Sequence, residues 1–273
     1  MSAIIIDGEM VHYESWGRGR PLLLLHGWLG SWRYWMRTME AMAADCRAYA
    51  FDFWGFGDSA KSRPLYNIVS YARLLNDLMD EMGIPKASIV GHSVGGAIAL
   101  IYASRCPERV ERLAVANSPV EASAINGRLR SFSNPLASQL IWRPDAASSI
   151  KRLLGSFKIN HAEVNDEASK ADPDAISDSM RSLAAMDLRE ELRHVRVPIL
   201  AVFGSEDPVV NVSQASFFEV TSRHARSIVL DGSRHFPMLE EPAKFHRLLR
   251  DFLVEDEDVK SLQIKEMWHR RTH

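Results

Sequence analysis

Cysteine is scarce in this chain: Cys46 and Cys106 are the only two in 273 residues. Two thiols cannot build the disulfide framework of a small secreted domain. Neither sits in a Cys-x-x-Cys pair, so buried reduced thiols and a reducing compartment are expected. Long hydrophobic runs are missing as well. Stretches such as Leu22 to Leu25 fall far short of the ~20 apolar residues that a membrane-spanning helix needs. The first residues carry no basic segment followed by an apolar stretch, so no signal peptide is expected. Charge of one sign is not in excess either. A formal net charge of −2 leaves no basic stripe for nucleic acid. The one charge run, Glu255 to Asp258, reads as a solvated tail. No cysteine–histidine cluster offers a metal site. These absences predict a soluble, cytoplasmic protein with no metal, cofactor, nucleic-acid or membrane partner, and nothing in them specifies an oligomer.

What is present suits a substantial globular core. The 46% hydrophobic content supplies ample material to bury. Ala3 to Ile6 and Met10 to Ser15 read as strands joined by the turn signal Asp7-Gly8. Leu22 to Leu25, Arg47 to Phe51, Ala87 to Val90, Val110 to Ala116, Ile199 to Phe203 and Ser227 to Leu230 read as further strands, several buried on both faces. Between them lie helical patterns over Ser70 to Met82, Val94 to Ser104, Ser213 to Val220 and Ala243 to Leu253. Strands alternating with helices imply an α/β fold whose mostly parallel sheet is covered on both faces.

Residues 119–190 break that rhythm. They hold no convincing strand, are punctuated by Pro135, Pro144 and Pro173, and show short amphipathic helices. One of these sets Ile176, Met180, Leu183 and Ala184 on one face. The division predicted is an α/β core over 1–118 and 191–255, a helical insertion over 119–190, and a C-terminal extension over 256–273. Within the extension, Val259 to Trp268 carries a trailing helix pattern.

Gly91-His92-Ser93-Val94-Gly95-Gly96 carries the chemistry. It joins the strand ending at Val90 to the helix opening near Val94. A nucleophile at so tight a strand-to-helix turn sits in strained backbone. Residues two positions away on each side must therefore be small, and Gly91 and Gly95 are. The helix N-terminus then aims free amides and the positive end of its dipole at a developing oxyanion. Ser93 needs a base. His235 follows the strand Ser227 to Leu230 by a short loop, which sets it at the same C-terminal sheet edge. His92 cannot serve its own neighbour, because adjacent side chains diverge at a tight turn; it is expected to pack beside the site. The base needs a carboxylate to fix its tautomer. Asp207 in Gly204-Ser205-Glu206-Asp207-Pro208 is preferred over Glu206, since Asp207-Pro208 pre-forms a turn. The backbone amides of Val94 and Trp28 are the candidate oxyanion donors. His26, in His26-Gly27-Trp28, is read as a structural hydrogen-bonder. Trp28, His92, Trp142 and Phe236 are the substrate-binding candidates.

The chain resembles the α/β-hydrolase superfamily over roughly residues 3 to 253. The resemblance rests on His26 to Ser31, Asp52-Phe53-Trp54-Gly55-Phe56-Gly57-Asp58-Ser59, Gly91 to Gly96, Gly204 to Asp207, and His235 with Leu239 to Pro242. It implies an eight-stranded sheet with a helical cap inserted after the sixth strand, and a triad in the chain order Ser, Asp, His. Relatives with an aspartate nucleophile, the haloalkane dehalogenases and epoxide hydrolases, do not fit Ser93. Relatives that hydrolyse carbon–carbon bonds in ring-cleavage products usually carry tryptophan beside the catalytic histidine, where this chain has Phe236. The His-Gly-Trp triplet is similar to carboxylesterases of carrier-bound or small acyl esters. The implied activity is hydrolysis of a carboxylic ester or lactone of a small-molecule acyl substrate, with thioesterase and carbon–carbon hydrolase as alternatives. A ligand-binding receptor with vestigial turnover is the alternative from another class. Gly55 to Ala60 formally matches a dinucleotide fingerprint, but Lys61 to Pro64 break the helix that fingerprint needs.

Overall fold

Asp7 and Gly8 both take positive φ, 51° and 78°, the turn that matches the right-handed twist of two antiparallel strands. It closes the hairpin of β1 (Ser2–Ile6) and β2 (Glu9–Gly17). The structure is a computed structural model that describes residues 2–62, 66–134, 146–254 and 259–263. Strands β3 (Arg20–Leu25), β4 (Cys46–Phe51), β5 (Ala87–His92), β6 (Val110–Ala116), β7 (Ile199–Gly204) and β8 (Ala225–Leu230) complete the sheet. Its eight strands run in the order β1-β2-β4-β3-β5-β6-β7-β8. The pairs β1–β2 and β2–β4 are antiparallel, and every later pair is parallel. The central strands β5 and β7 are buried along their full length, as strands covered on both faces are.

Helices cover both faces. α1 (Met36–Met42), α2 (Ile68–Glu81) and α3 (Val94–Arg105) fall between the early strands. Asn67 caps α2 by accepting from the Ser70 amide at 2.9 Å, Tyr71, Leu74, Leu75, Leu78 and Met79 form its buried stripe, and Gly83 at φ 64° ends it. α3 is buried from Val94 to Ala103, because α2 lies against it on one side and β5 on another. Between β6 and β7 come α4 (Gly127–Arg130), α5 (Ala146–Ser156), α6 (Ala162–Ala168), α7 (Pro173–Ala184) and α8 (Arg189–His194). α9 (Gln214–Thr221), α10 (Pro237–Glu240) and α11 (Pro242–Leu253) follow. α11 packs on α1, while α8 touches α3 and α9.

One helix is absent from the sequence reading. α1 carries no clear periodic signal in seven residues, yet it forms because Thr38, Met39 and Met42 bury against the core. Of the trailing pattern over Val259 to Trp268, the described part holds a 3-10 turn at Val259–Ser261 against β8; residues 264–273 lie outside the described residues. No helix among the described residues is long and apolar enough to cross a membrane.

Candidate active site

The strand order reverses between β3 and β5, since the chain runs outward from β3 to β4 and then returns. In open parallel sheets a crevice opens at such a switch, outside the carboxyl ends of the strands. The loop after β3 carries His26-Gly27-Trp28, and the turn after β5 carries Ser93. Ser93 has φ 51° and ψ −115°, a strained conformation for a residue with a side chain. Close approach enforces the flanking glycines. A Cβ on Gly91 would lie 2.4 Å from the Gly95 oxygen, and one on Gly95 would lie 2.3 Å from the Leu25 oxygen. The Ser93 amide donates to Ala116 at 2.8 Å, which ties the turn to β6.

His235 and Asp207 meet at the same edge. His235 Nδ1 lies 2.9 Å from Asp207 Oδ2. The other carboxylate oxygen accepts the Val209 and Val210 amides at 2.7 and 3.2 Å, so both oxygens are held. Glu206, the rival carboxylate, does not hold the imidazole, which bonds Asp207; the Glu206 amide donates to the Ser233 carbonyl at 2.9 Å. His235 and Ser93 line one cavity, with the imidazole 5% and the serine 6% exposed.

Gly27 sits against the elbow, where a Cβ would come within 3.1 Å of the Ser93 Cβ. Neither the Trp28 nor the Val94 amide donates to an acceptor among the described residues. Free amides at the rim of a helix N-terminus and a tight loop are what an oxyanion requires. His26 shapes this loop: Nδ1 donates to the Gly27 carbonyl at 2.8 Å and Nε2 accepts from the Phe53 amide at 3.0 Å. Burial pushes its imidazole below the ordinary range.

The cavity, counted together with its open mouth, encloses about 540 Å³ of space between atoms. Ser93 and His235 are its polar lining residues; the rest, among them Trp28, Phe157, Met180, Leu183 and Phe236, are apolar. Of the substrate-binding candidates, Trp28 and Phe236 line the cavity. His92 does not: it is 1% exposed, lies behind the elbow, and is absent from the lining, because a tight turn throws adjacent side chains to opposite sides. Trp142 lies outside the described residues. Trp32 and Trp35 pack with the core, and Phe132 stacks edge-on to Trp28 at 5.6 Å.

Sequence reasoning missed Asn117. It has φ 47°, its Oδ1 accepts the Gly204 amide at 2.8 Å and its Nδ2 donates to the Arg234 carbonyl at 2.7 Å. One side chain thereby joins the end of β7, ahead of Asp207, to the residue before His235. The available signal was an asparagine directly after β6, a residue type that tolerates left-handed backbone.

Among the described residues one group has metal-ligating types close together: His12, Asp52 and Asp58 offer atoms within 4.8 Å of one another. Its carboxylates are already engaged. Asp52 takes the Trp32 and Asp58 amides at 2.7 and 2.9 Å, His12 Nδ1 lies 3.2 Å from it, and the Arg33 guanidinium stands 2.8 Å from Asp58. The cluster locks the Asp52 to Ser59 loop, which the apparent dinucleotide fingerprint also occupies.

Known proteins give the same family. The pattern described as the alpha/beta hydrolase fold matches residues 20–143. A dihydrolipoyllysine-residue acetyltransferase component of the acetoin cleaving system from Pseudomonas putida is 31% identical over 260 residues, 91% of this chain and 68% of that protein. A pimeloyl-[acyl-carrier protein] methyl ester esterase from Vibrio parahaemolyticus is 28% identical over 261 residues, covering 89% of this chain and 97% of its own. A hydrolase structure from Pseudomonas aeruginosa superposes with a TM-score of 0.82 at 22% identity, over 93% of this chain and 98% of that one. The chain belongs to the α/β-hydrolase family and is a hydrolase of that fold.

Proposed function

We propose that the protein is a serine-dependent carboxylic ester hydrolase acting through Ser93, His235 and Asp207, with residues 119–190 serving as the cap over its site. The observation that carries this reading is the His235–Asp207 contact of 2.9 Å at the cavity that Ser93 lines. His235 takes the Ser93 hydroxyl proton as Oγ bonds to the ester carbonyl carbon, and the Trp28 and Val94 amides receive the charge on its oxygen. Collapse breaks the bond to the alkoxide, which leaves as alcohol with the proton from His235. Water then gives its proton to His235, adds to the acyl carbon, and the carboxylic acid departs with the Ser93 proton restored. Asp207 holds the imidazole in the tautomer both halves need.

The apolar lining supports an uncharged hydrocarbon acyl or alcohol group. A buried carboxylate on the substrate would cost several kcal/mol without a paired cation, and the described lining offers none. A fluorophosphonate probe is expected to label Ser93, and undiminished labelling in Ser93→Ala would sink the assignment. Neutral alkanoyl esters, lactones and thioesters run side by side rank the preference within this chemistry. Esters bearing a terminal carboxylate are expected to be poorer by about tenfold or more. Tight ligand binding without turnover of any of them would mark the chain as a receptor instead.

A further inference from the structure

We infer that His92 and Tyr34 form a positioning relay that ties the loop carrying His235 to the loop carrying the Trp28 amide, fixing the spacing between base and oxyanion donors. This rests on the ester-hydrolase reading for the roles of the groups it joins.

His92 precedes the nucleophile, yet its ring faces away from the cavity. Its Nε2 lies 2.7 Å from the His235 carbonyl oxygen. A carbonyl can only accept, so Nε2 carries the hydrogen and Nδ1 keeps a lone pair. Nδ1 lies 3.1 Å from the Tyr34 hydroxyl, which must therefore donate to it. The same hydroxyl oxygen accepts the Gly27 amide. Every link has one permitted direction: Gly27 N–H to Tyr34 oxygen, Tyr34 O–H to His92 Nδ1, His92 Nε2–H to the His235 carbonyl. Both ring nitrogens are used.

The surroundings keep the relay in its one working protonation state. Burial first, then the neighbouring His235, holds the His92 imidazole well below its ordinary range. Burial lifts the Tyr34 phenol well above its own. Rings wedge the geometry in place, with His92 at 4.7 Å from both His235 and Phe236 and perpendicular to Tyr34 at 5.5 Å.

Packing alone would not call for these groups. Phenylalanine and leucine would fill similar volume without burying polar atoms, which costs stability unless each is bonded. The two ends of the chain are also the two places where small displacements matter. Gly27 immediately precedes Trp28, so a turn of its peptide would swing the predicted oxyanion donor. The His235 carbonyl belongs to the base itself.

The test uses the full chain, p-nitrophenyl butyrate as substrate and a butyl boronic acid as transition-state mimic. Tyr34→Phe is expected to lower kcat by about 10- to 100-fold, the scale of a misplaced catalytic group, with KM nearly unchanged and boronate affinity falling in step. His92→Gln, whose amide can accept and donate, is expected to recover much of the activity lost in His92→Leu. A folded Tyr34→Phe with undiminished kcat, or His92→Gln no better than His92→Leu, overturns the relay. A purely structural role would move Tm and leave these ratios alone. Nitrogen-15 NMR of the imidazoles reads the relay without turnover. A neutral Nε2–H tautomer at His92, perturbed by Tyr34→Phe, supports it; an Nδ1–H tautomer overturns it even in an active enzyme. A wild-type chain that keeps this tautomer but neither cleaves esters nor labels at Ser93 overturns the ester reading while the link between loops stands.

Discussion

The two walls of the cavity are built on opposite physical terms. On the sheet side, Asp207 has both oxygens occupied, Arg234 gives its carbonyl to Asn117 and its amide to Glu240, and His26 spends both ring nitrogens on backbone. On the insertion side, Ile125, Leu129, Leu154, Phe157, Ile159, Val164, Met180 and Leu183 present hydrocarbon. Directional bonds fix atoms to a few tenths of an ångström, which proton transfer and oxyanion binding need. Apolar contact is non-directional and tolerates repacking. The sheet side thus suits fixed chemistry, and the insertion suits a substrate preference that can change without disturbing it. Where the walls meet, polar links reappear: Trp28 Nε1 donates to Ile176 at 3.1 Å, the Asp172 amide to Gly55 at 2.7 Å, and Arg33 pairs with the buried Glu167 at 3.0 Å.

The hardest test of the comparison is removal of the proposed triad. Ser93→Ala and His235→Ala are each expected to cut kcat/KM by about 10⁴-fold or more, and the double variant should be little worse than either, because groups that act as a unit are non-additive. Steady-state kinetics on a short ester reads this out. Additive losses would mean that the two side chains do not share a step. Asn117→Ala comes next. It leaves the buried Gly204 amide unpaired, for about 1–3 kcal/mol of stability. It also frees the carbonyl before His235, so a loss of about tenfold in kcat is expected. Urea melts and kinetics together separate the two effects; stability lost with kcat intact would limit Asn117 to the fold.

How much of this was legible in the sequence follows the same division. Ser93 and its glycines were readable because steric crowding at the elbow leaves almost no other choice of residue. Asp207 and His235 were readable because strands that end together put their following loops together. The insertion gave its helical character and the face of Ile176, Met180 and Leu183. It could not give the cavity, since its elements meet only through long-range packing. The Tyr34, His92 and Asn117 contacts were illegible for a further reason. All but the Tyr34–Gly27 bond span a large sequence separation, and each depends on a side-chain direction that no local pattern encodes. His92 was accordingly put on the cavity wall when its ring lies behind it.

On the insertion side the expected effects are smaller and selective. Leu183→Ala removes methylenes from the lining, each worth about 1–3 kcal/mol to a chain that fills it. Its kcat/KM for butyrate esters should stay within about threefold of wild type, while the optimum acyl length shifts. A series of p-nitrophenyl esters from acetate to decanoate measures both. An equal loss on every chain length would mean that the insertion helps to set the chemistry, and the contrast between the walls would fail.

Acid sensitivity separates failure of the site from failure of the core beneath it. His246 on α11 meets the Thr38 hydroxyl of α1 at 3.1 Å. Burial, then the Arg37 charge, brings its imidazole down to about 4 from the ordinary 6.5. Between those values the unfolded chain binds a proton that the folded chain refuses. The core therefore keeps its full stability above the higher value and loses it progressively as pH falls toward the lower. His246→Gln preserves a hydrogen-bonding partner for Thr38 and removes the titration, so the fall in Tm on acidification should flatten by a few degrees. The acid limb of kcat, set at the cavity, should not move. If both limbs shift together, the pH response of the site is that of the fold, and the sheet-side wall is not the autonomous chemical unit its hydrogen bonds describe.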